Sequence, residues 1–350
     1  MYSDETFNLV AFAKKLIYYI NSLLPPCHLK PNQLDGGNSI IRIVAISCVV
    51  FIHLNTYLSS NIYDLFPIKC CCSCCFWAVP AFICLSGKLI PIQIPYKLFY
   101  KKTFNKIFLP TIFWSILFSI IVFFKSEHSM KAIINNWINC RPFFHLWFMF
   151  MLCGIYLFAP LCSILIKKIP FRYLLPLIFL VMCKPDIWDS PPWCYPLFIS
   201  IPYIFLFMTG SLILHSHIST KIRFISCLAA FCYLLFMGIV LPFYSNNILQ
   251  YPFHHYLGFF GYLGGTSITI AFLWIGTFIP YNIKVILYKI SQLVYGVYFI
   301  HPLIITLLIK LLKFESPNCL SFFIIYIAAW IICFMSTVCC KKIPFLERFL

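Results

Sequence analysis

Apolar runs recur along the chain at 39–59, 74–92, 104–124, 143–166, 171–184, 197–215, 222–243, 257–279, 289–312 and 320–340. Most reach the roughly 20 residues that a helix needs to cross a hydrocarbon core. Short polar gaps separate them. The pattern predicts an all-α, polytopic transmembrane bundle of about ten helices. The run at 171–184 is the shortest and is interrupted by Pro176. Ahead of the first span, Leu9 to Leu24 mixes apolar residues with Lys14 and Lys15 and predicts an amphipathic helix lying in the interface. The chain thus divides into an N-terminal cytoplasmic or interfacial segment at 1–37, a membrane domain at 38–345 and a short tail at 346–350.

Composition sharpens this picture. Of 350 residues, 62% are hydrophobic and only 10% charged, where a soluble domain carries about 25% charged. Too little charge is present to cover a water-exposed surface, so lipid is the solvent for most of the chain. The net charge of +17 does not imply nucleic acid, because the basic residues fall in short inter-helix gaps and the aromatics inside apolar runs. The 19 cysteines are scattered mainly through apolar stretches, where a thiol behaves as a small hydrophobe. The dense group Cys70, Cys71, Cys72, Cys74 and Cys75 lacks the paired spacing of a metal site, and His254-His255 lacks partners at ligand spacing. No metal is expected.

Charge also sets orientation. With the N-terminus in the cytoplasm and sides alternating at each span, 19 of the 26 basic residues fall inside. This bias obeys the positive-inside rule for ten spans with both termini cytoplasmic. No carboxylate falls within a predicted span, which counts against an ion-coupled carrier.

Few polar residues lie at membrane depth, and each one stands out. Arg42 and His53 occupy the first span eleven residues apart. That is three helical turns, so both point the same way, about 16 Å apart at 1.5 Å per residue. Either group is costly in lipid, so the pair should face the bundle interior or a wet cavity. Ser86-Gly87 in the second span offers a small surface for close approach. Lys97, Lys101, Lys102 and Lys106 form a basic group before Pro110, read as a topology signal or a phosphate-attracting rim. His145-Leu146-Trp147-Phe148 opens the fourth span, and Tyr298 and His301-Pro302 lie in the ninth.

Taken in order, these segments resemble the acyltransferase 3 family of integral-membrane acyltransferases. Arg42…His53, Phe82-x-x-Leu85-Ser86-Gly87, Lys101-Lys102…Lys106…Pro110, His145-Leu146-Trp147-Phe148…Tyr156-Leu157 and Tyr295 through Pro302 match its motifs across about residues 38–345. The resemblance implies an acyl donor, usually acetyl-CoA but in some members another acyl-CoA, drawn from the cytoplasm. It implies an acceptor hydroxyl on a polysaccharide or other glycan of the cell envelope, and a multi-pass place in the cell's inner, cytoplasmic membrane. No cofactor is bound; membrane lipid surrounds the bundle, and envelope-assembly proteins are its implied partners. Arg42 and His53 match the family's functional pair, and Ser86, Trp147, Tyr298 and His301 match residues of less defined role. Lys88 stands where an apolar side chain usually follows Ser-Gly, and the group before Pro110 uses Lys where Arg is usual, which forgoes a bidentate fork.

On that footing His53 is the expected base or covalent acyl carrier, and Arg42, Lys101, Lys102 and Lys106 are expected to hold the CoA phosphates. Tyr298, His301, Trp147 and Ser86 are expected to contact the oxyanion or acceptor. The competing reading is a polysaccharide or small-molecule transporter or exporter on the same scaffold. It predicts function that survives loss of His53.

Overall fold

The computed structural model describes residues 34–62, 66–89, 95–125, 130–168, 200–215, 218–244, 259–312 and 318–350. Among these, regular structure is helical throughout. The order is α1 (Gly36–Ile62), α2 (Phe66–Ser73), α3 (Ala78–Leu89), α4 (Tyr96–Thr103), α5 (Leu109–Lys125), α6 (Met130–Ile138) and α7 (Trp147–Lys168). There follow α8 (Ser200–His215), α9 (Thr220–Leu235), α10 (Leu241–Tyr244), α11 (Phe259–Thr277), α12 (Tyr281–Ser291), α13 (Val294–Leu312), α14 (Cys319–Lys341) and α15 (Pro344–Glu347).

Eight spans among the described residues are long and apolar enough to cross a membrane, and Tyr203–Ile213 is a shorter apolar helix within α8. Eight of the ten expected spans are therefore found; that over 197–215 appears only as the shorter helix α8, and that over 171–184 lies outside the described residues, as do the Leu9–Leu24 segment and His254-His255. Helix α8 is brief, and the aromatic pairs Trp147–Tyr203 and Tyr156–Phe207 run it beside α7 in the same direction.

Proline fixes several boundaries that apolarity alone misplaces. The second span starts at Phe66 rather than residue 74 and is broken at 74–77. Pro80 has no N–H for the carbonyl one turn back, so the helix restarts at Ala78 with Pro80 in its first turn, where no N–H is needed. The third span begins at Tyr96 rather than 104, so its lysines ride on helix instead of a loop. A five-residue π-helical turn, Phe104–Phe108, joins α4 to α5. Pro110 leaves the Lys106 carbonyl without its ladder partner, and the Tyr295 hydroxyl donates to that oxygen at 3.0 Å.

Helix α1 is the hub. It packs on α2, α3, α11, α12, α13 and α14, and Ile41, Ala45, Ile46, Val50 and Leu54 are fully buried. A helix apolar on every side belongs in the centre of a bundle. A second core joins α3, α7 and α8 through Ile83, Cys84, Met151, Ile155, Leu206 and Phe207. There α3 and α8 cross backbone to backbone. A Cβ on Gly87 would strike the Phe207 carbonyl, and one on Gly210 would strike the Cys84 carbonyl. The Ser86-Gly87 pair thus provides the close approach that its small side chains suggest. Among the described residues every cysteine is a free thiol.

The crossing can be tested directly. Gly87→Ala forces α8 outward or strains the carbonyl contact, an overpacking cost of about 1–3 kcal/mol or more. Purified Gly87→Ala protein should unfold at a clearly lower temperature than wild type; an unchanged midpoint would show that the helices yield at no cost.

Candidate active site

The stripe of α1 that carries Arg42 and His53 faces two cavities in line. The larger, about 480 Å3, is lined by Arg42, Ser86, Lys106, Tyr156, Tyr295 and the C-terminal Arg348, among others. Its charged lining side chains are the three cations Arg42, Lys106 and Arg348 against one carboxylate, Glu347. The smaller, about 30 Å3, is lined by His53 with Val49, Ile52, Val79, Phe82, His145, Trp147, Phe148 and Tyr298. Three residues, Phe82, Phe148 and Tyr298, line both cavities. Their rings run in series, 6.2 Å from Phe82 to Phe148 and 5.7 Å from Phe148 to Tyr298 between centroids. Aromatic side chains therefore form the partition between the guanidinium end and the imidazole end.

Three imidazoles meet at the inner chamber. His53 stacks on His301 with centroids 5.1 Å apart, and His145 meets the His301 ring edge-on at 5.3 Å. Helix α13 delivers His301 through its own proline. Pro302 offers no N–H to the Tyr298 carbonyl, and the His301 ring folds back over that turn, its Nδ1 bonded to the Val297 carbonyl at 3.2 Å. A ring nitrogen that bonds a carbonyl carries the hydrogen, so the neutral ring presents Nε2 as a bare lone pair. That Nε2 is buried without a partner, as are both ring nitrogens of His145. Neither ring nitrogen of His53 takes a hydrogen bond from another described residue, so both are open to a ligand.

His145 reaches the chamber from a turn rather than a helix. Helix α6 ends with Cys140 in the left-handed region at φ 53°, and the Arg141 N–H reaches back to the Asn136 carbonyl at 2.8 Å. This is the six-to-one bond that closes many helix ends, usually on glycine. The chain then reverses through Pro142 and Phe143, whose carbonyl accepts from the Leu146 N–H at 3.0 Å. His145 and Leu146 are buried before α7 starts. The Tyr298 hydroxyl donates to the His145 carbonyl at 2.5 Å and fastens this turn to α13.

The expected site residues separate into those brought together and those that are not. Arg42, Ser86 and Lys106 share the large cavity, His53 and Trp147 the small one, and Tyr298 both. His301 lies behind His53. Ser86 donates to the Phe82 carbonyl at 2.8 Å and is hydrogen-bonded to Tyr156, so it braces the cavity wall. Because its hydroxyl is committed to His145, Tyr298 is a brace as well. Lys101 and Lys102 are exposed on α4 and line neither cavity. Lys88 pairs with Asp35 at 2.8 Å and with Asn38 at 2.9 Å, away from both. Sequence reasoning passed over His145 and Arg348 as site residues. His145 carried one signal, a histidine at the mouth of a span, whereas Arg348 carried none beyond its charge.

Tyr298→Phe keeps the ring partition but leaves the buried His145 carbonyl with only the long 3.5 Å bond from the Phe148 N–H, a loss of about 1–3 kcal/mol. The variant should lose thermal stability by that amount in denaturation of the purified protein, and no loss would mean that the bond to His145 is unimportant.

Comparison with known proteins adds one finding. A family described as "Acyltransferase domain", the acyltransferase 3 family, matches residues 37–340. Neither a curated protein nor a solved structure matches the chain. The matched stretch takes in α1 through nearly all of α14, with both cavities at its heart, and the chain belongs to this family of membrane acyltransferases.

Proposed function

We propose that the protein is a membrane O-acyltransferase that moves acetyl from acetyl-CoA, taken up from the cytoplasm, to a hydroxyl of a cell-surface polysaccharide or other glycan. The observation that carries this reading is the pair of cavities in line along α1, cationic at Arg42 and imidazole-lined at His53. CoA is an anionic head on a long neutral arm that ends in a thioester. Three cations suit the head. The roughly 16 Å rise of α1 between Arg42 and His53 is of the order of the arm's reach.

The reaction needs a base and oxyanion donors. With both nitrogens uncommitted, His53 takes the proton of the acceptor hydroxyl as its oxygen attacks the thioester carbonyl. The tetrahedral intermediate then collapses, the C–S bond breaks, and the CoA sulfur leaves with the proton that His53 held. The products are the acetyl ester and free CoA. A transient acyl-imidazole on His53 gives the same balance in two steps. His145 lines the chamber and has an N–H with no protein partner, which makes it the favoured donor toward the developing oxyanion, with Trp147 beside it. In its neutral form His301 can only accept at Nε2, so it suits packing against the face of the His53 ring rather than meeting the oxyanion.

Orientation follows from the basic residues. Arg42, Lys106 and Arg348 line one cavity at a single end of the bundle, and Lys88, Arg223 and Lys284 line another of about 330 Å3. All six belong to the side that the positive-inside rule assigns to the cytoplasm. The donor then enters from that side, and the acceptor meets His53 deeper toward the opposite leaflet.

His53→Ala should lower acetyl transfer by about 10²–10⁴-fold with the protein still in the membrane. The check is acetyl content of surface glycan in a deletion strain complemented with wild type or variant. Full acetylation by His53→Ala would remove His53 from the chemistry and favour an exporter. Arg42→Ala should act on donor binding, raising KM for acetyl-CoA by about tenfold or more, the worth of one charged hydrogen bond. Arg42→Lys should restore part of it; a change confined to kcat would place Arg42 elsewhere in the cycle.

A further inference from the structure

The chamber at His53 measures about 30 Å3. A single water needs roughly 10–15 Å3 measured in this way, so the space takes about two water-sized groups. That matches a carbonyl oxygen and a methyl, and nothing longer. Its inner walls are the side chains of Val49, Ile52 and Val79, which spring from tightly packed helices. Ile52 and Val79 are 8% exposed and Val49 is 6%. The partition toward the large cavity differs in kind. Tyr298 is pinned by its bond to the His145 carbonyl. Phe82 and Phe148 are half-buried and carry no hydrogen-bonding group; they are held by packing against the core and by ring contacts with each other and with neighbouring aromatics.

We infer that Phe82 and Phe148 determine which acyl group the protein transfers, admitting a two-carbon acyl and rejecting longer chains. The inference rests on the acyl-transfer reading above. A thioester arriving from the Arg42 cavity must place its carbonyl carbon within reach of His53 while the sulfur and pantetheine arm remain on the cationic side. The acyl tail then has only the small chamber to occupy. Each further methylene must displace a Phe82 or Phe148 ring or overpack the three aliphatic walls. A methylene in a shaped apolar pocket changes selectivity by about 10–200-fold. Phe82 is the stronger determinant of the two, because it adjoins the aliphatic wall residue Val79 on the same face of α3, one turn away. Removing its ring joins the chamber to the larger cavity.

The test uses membranes from cells that express the full chain and carry its own acceptor. Free CoA thiol is measured with acetyl-, propionyl- and butyryl-CoA, and the release by His53→Ala membranes is subtracted. Wild type should favour acetyl over butyryl by about tenfold or more. Phe82→Ala should raise the butyryl-to-acetyl ratio by about tenfold, and Phe82→Leu should raise the propionyl ratio by less. Phe148→Ala supplies an independent opening from α7. Should Phe82→Ala fail to fold, Phe82→Leu and Phe148→Ala decide. Ratios unchanged in every variant that still uses acetyl-CoA would overturn the size limit and leave acyl transfer standing, as would wild type that uses butyryl-CoA as readily as acetyl-CoA. No wild-type release above the His53→Ala background from any donor would overturn the acyl-transfer reading itself, and the size limit with it.

Discussion

In hydrocarbon no water is available to satisfy a backbone carbonyl, so each one freed by a proline must find a partner within the protein. This constraint organises the site. Pro302 frees the Tyr298 carbonyl in the middle of α13, and the imidazole of His301 folds back over that opened turn, its Nδ1 bonded to the adjoining Val297 carbonyl. Pro110 frees the Lys106 carbonyl at the start of α5, and the hydroxyl of Tyr295 answers it from α13. In the first case a catalytic-type ring is oriented and its tautomer set. In the second the cationic turn of Lys106 is fastened to the helix that carries His301. An unsatisfied carbonyl in lipid costs several kcal/mol, so these bonds hold more firmly than similar ones would at a wet surface.

The same absence of water explains how charge and space are distributed. A guanidinium at depth must face a cavity, and Arg42 does so, together with Lys106 and Arg348. The C-terminal segment reaches that cavity because Trp114 of α5 donates its indole N–H to the Phe349 carbonyl at 3.0 Å and Phe349 stacks on Phe113 at 4.1 Å. One end of the bundle thus collects positive charge on rigid supports. The other end of the path is nearly dry, its polar groups limited to rings and hydroxyls. An anionic head and a neutral reacting group find opposite surroundings within a single helix length.

Much of this was legible in the residues. The apolar runs announced the spans. The eleven-residue interval placed Arg42 and His53 on one stripe of α1, and Ser86-Gly87 announced a close crossing. These signals are local, because periodicity and residue size act within one helix. What escaped was whatever depends on chain reversal or on the sum of rotations. His145 is positioned by a helix end closed on a non-glycine residue, Cys140, whose backbone conformation no sequence pattern advertises. Lys101 and Lys102 look equivalent to Lys106 in a row of lysines. At 100° per residue, however, and with a π-turn intervening, only Lys106 turns to the cavity. Arg348 belongs to a tail whose docking depends on Trp114 and Phe113, more than two hundred residues away. The restart of the second span at Ala78 follows from Pro80, which hydropathy averages away.

On the acyl-transfer reading proposed above, the two cavities also divide the work of catalysis. Interactions that hold substrate and transition state equally lower KM without raising kcat, so binding energy is most useful when gained far from the reacting bond and applied there. The cationic cavity, about 480 Å3, is large enough to supply such energy from groups that never touch the thioester, whereas the chamber of about 30 Å3 offers almost none. Bringing an acyl group past Phe82 and Phe148 requires water to leave the chamber. Attraction at Arg42, Lys106 and Arg348 would offset that cost. Water entering a more open chamber would compete with the sugar hydroxyl for the thioester. A tight, ring-walled chamber reached only by a well-held donor favours transfer over hydrolysis, and the narrowness that excludes water is the same narrowness that limits the acyl chain.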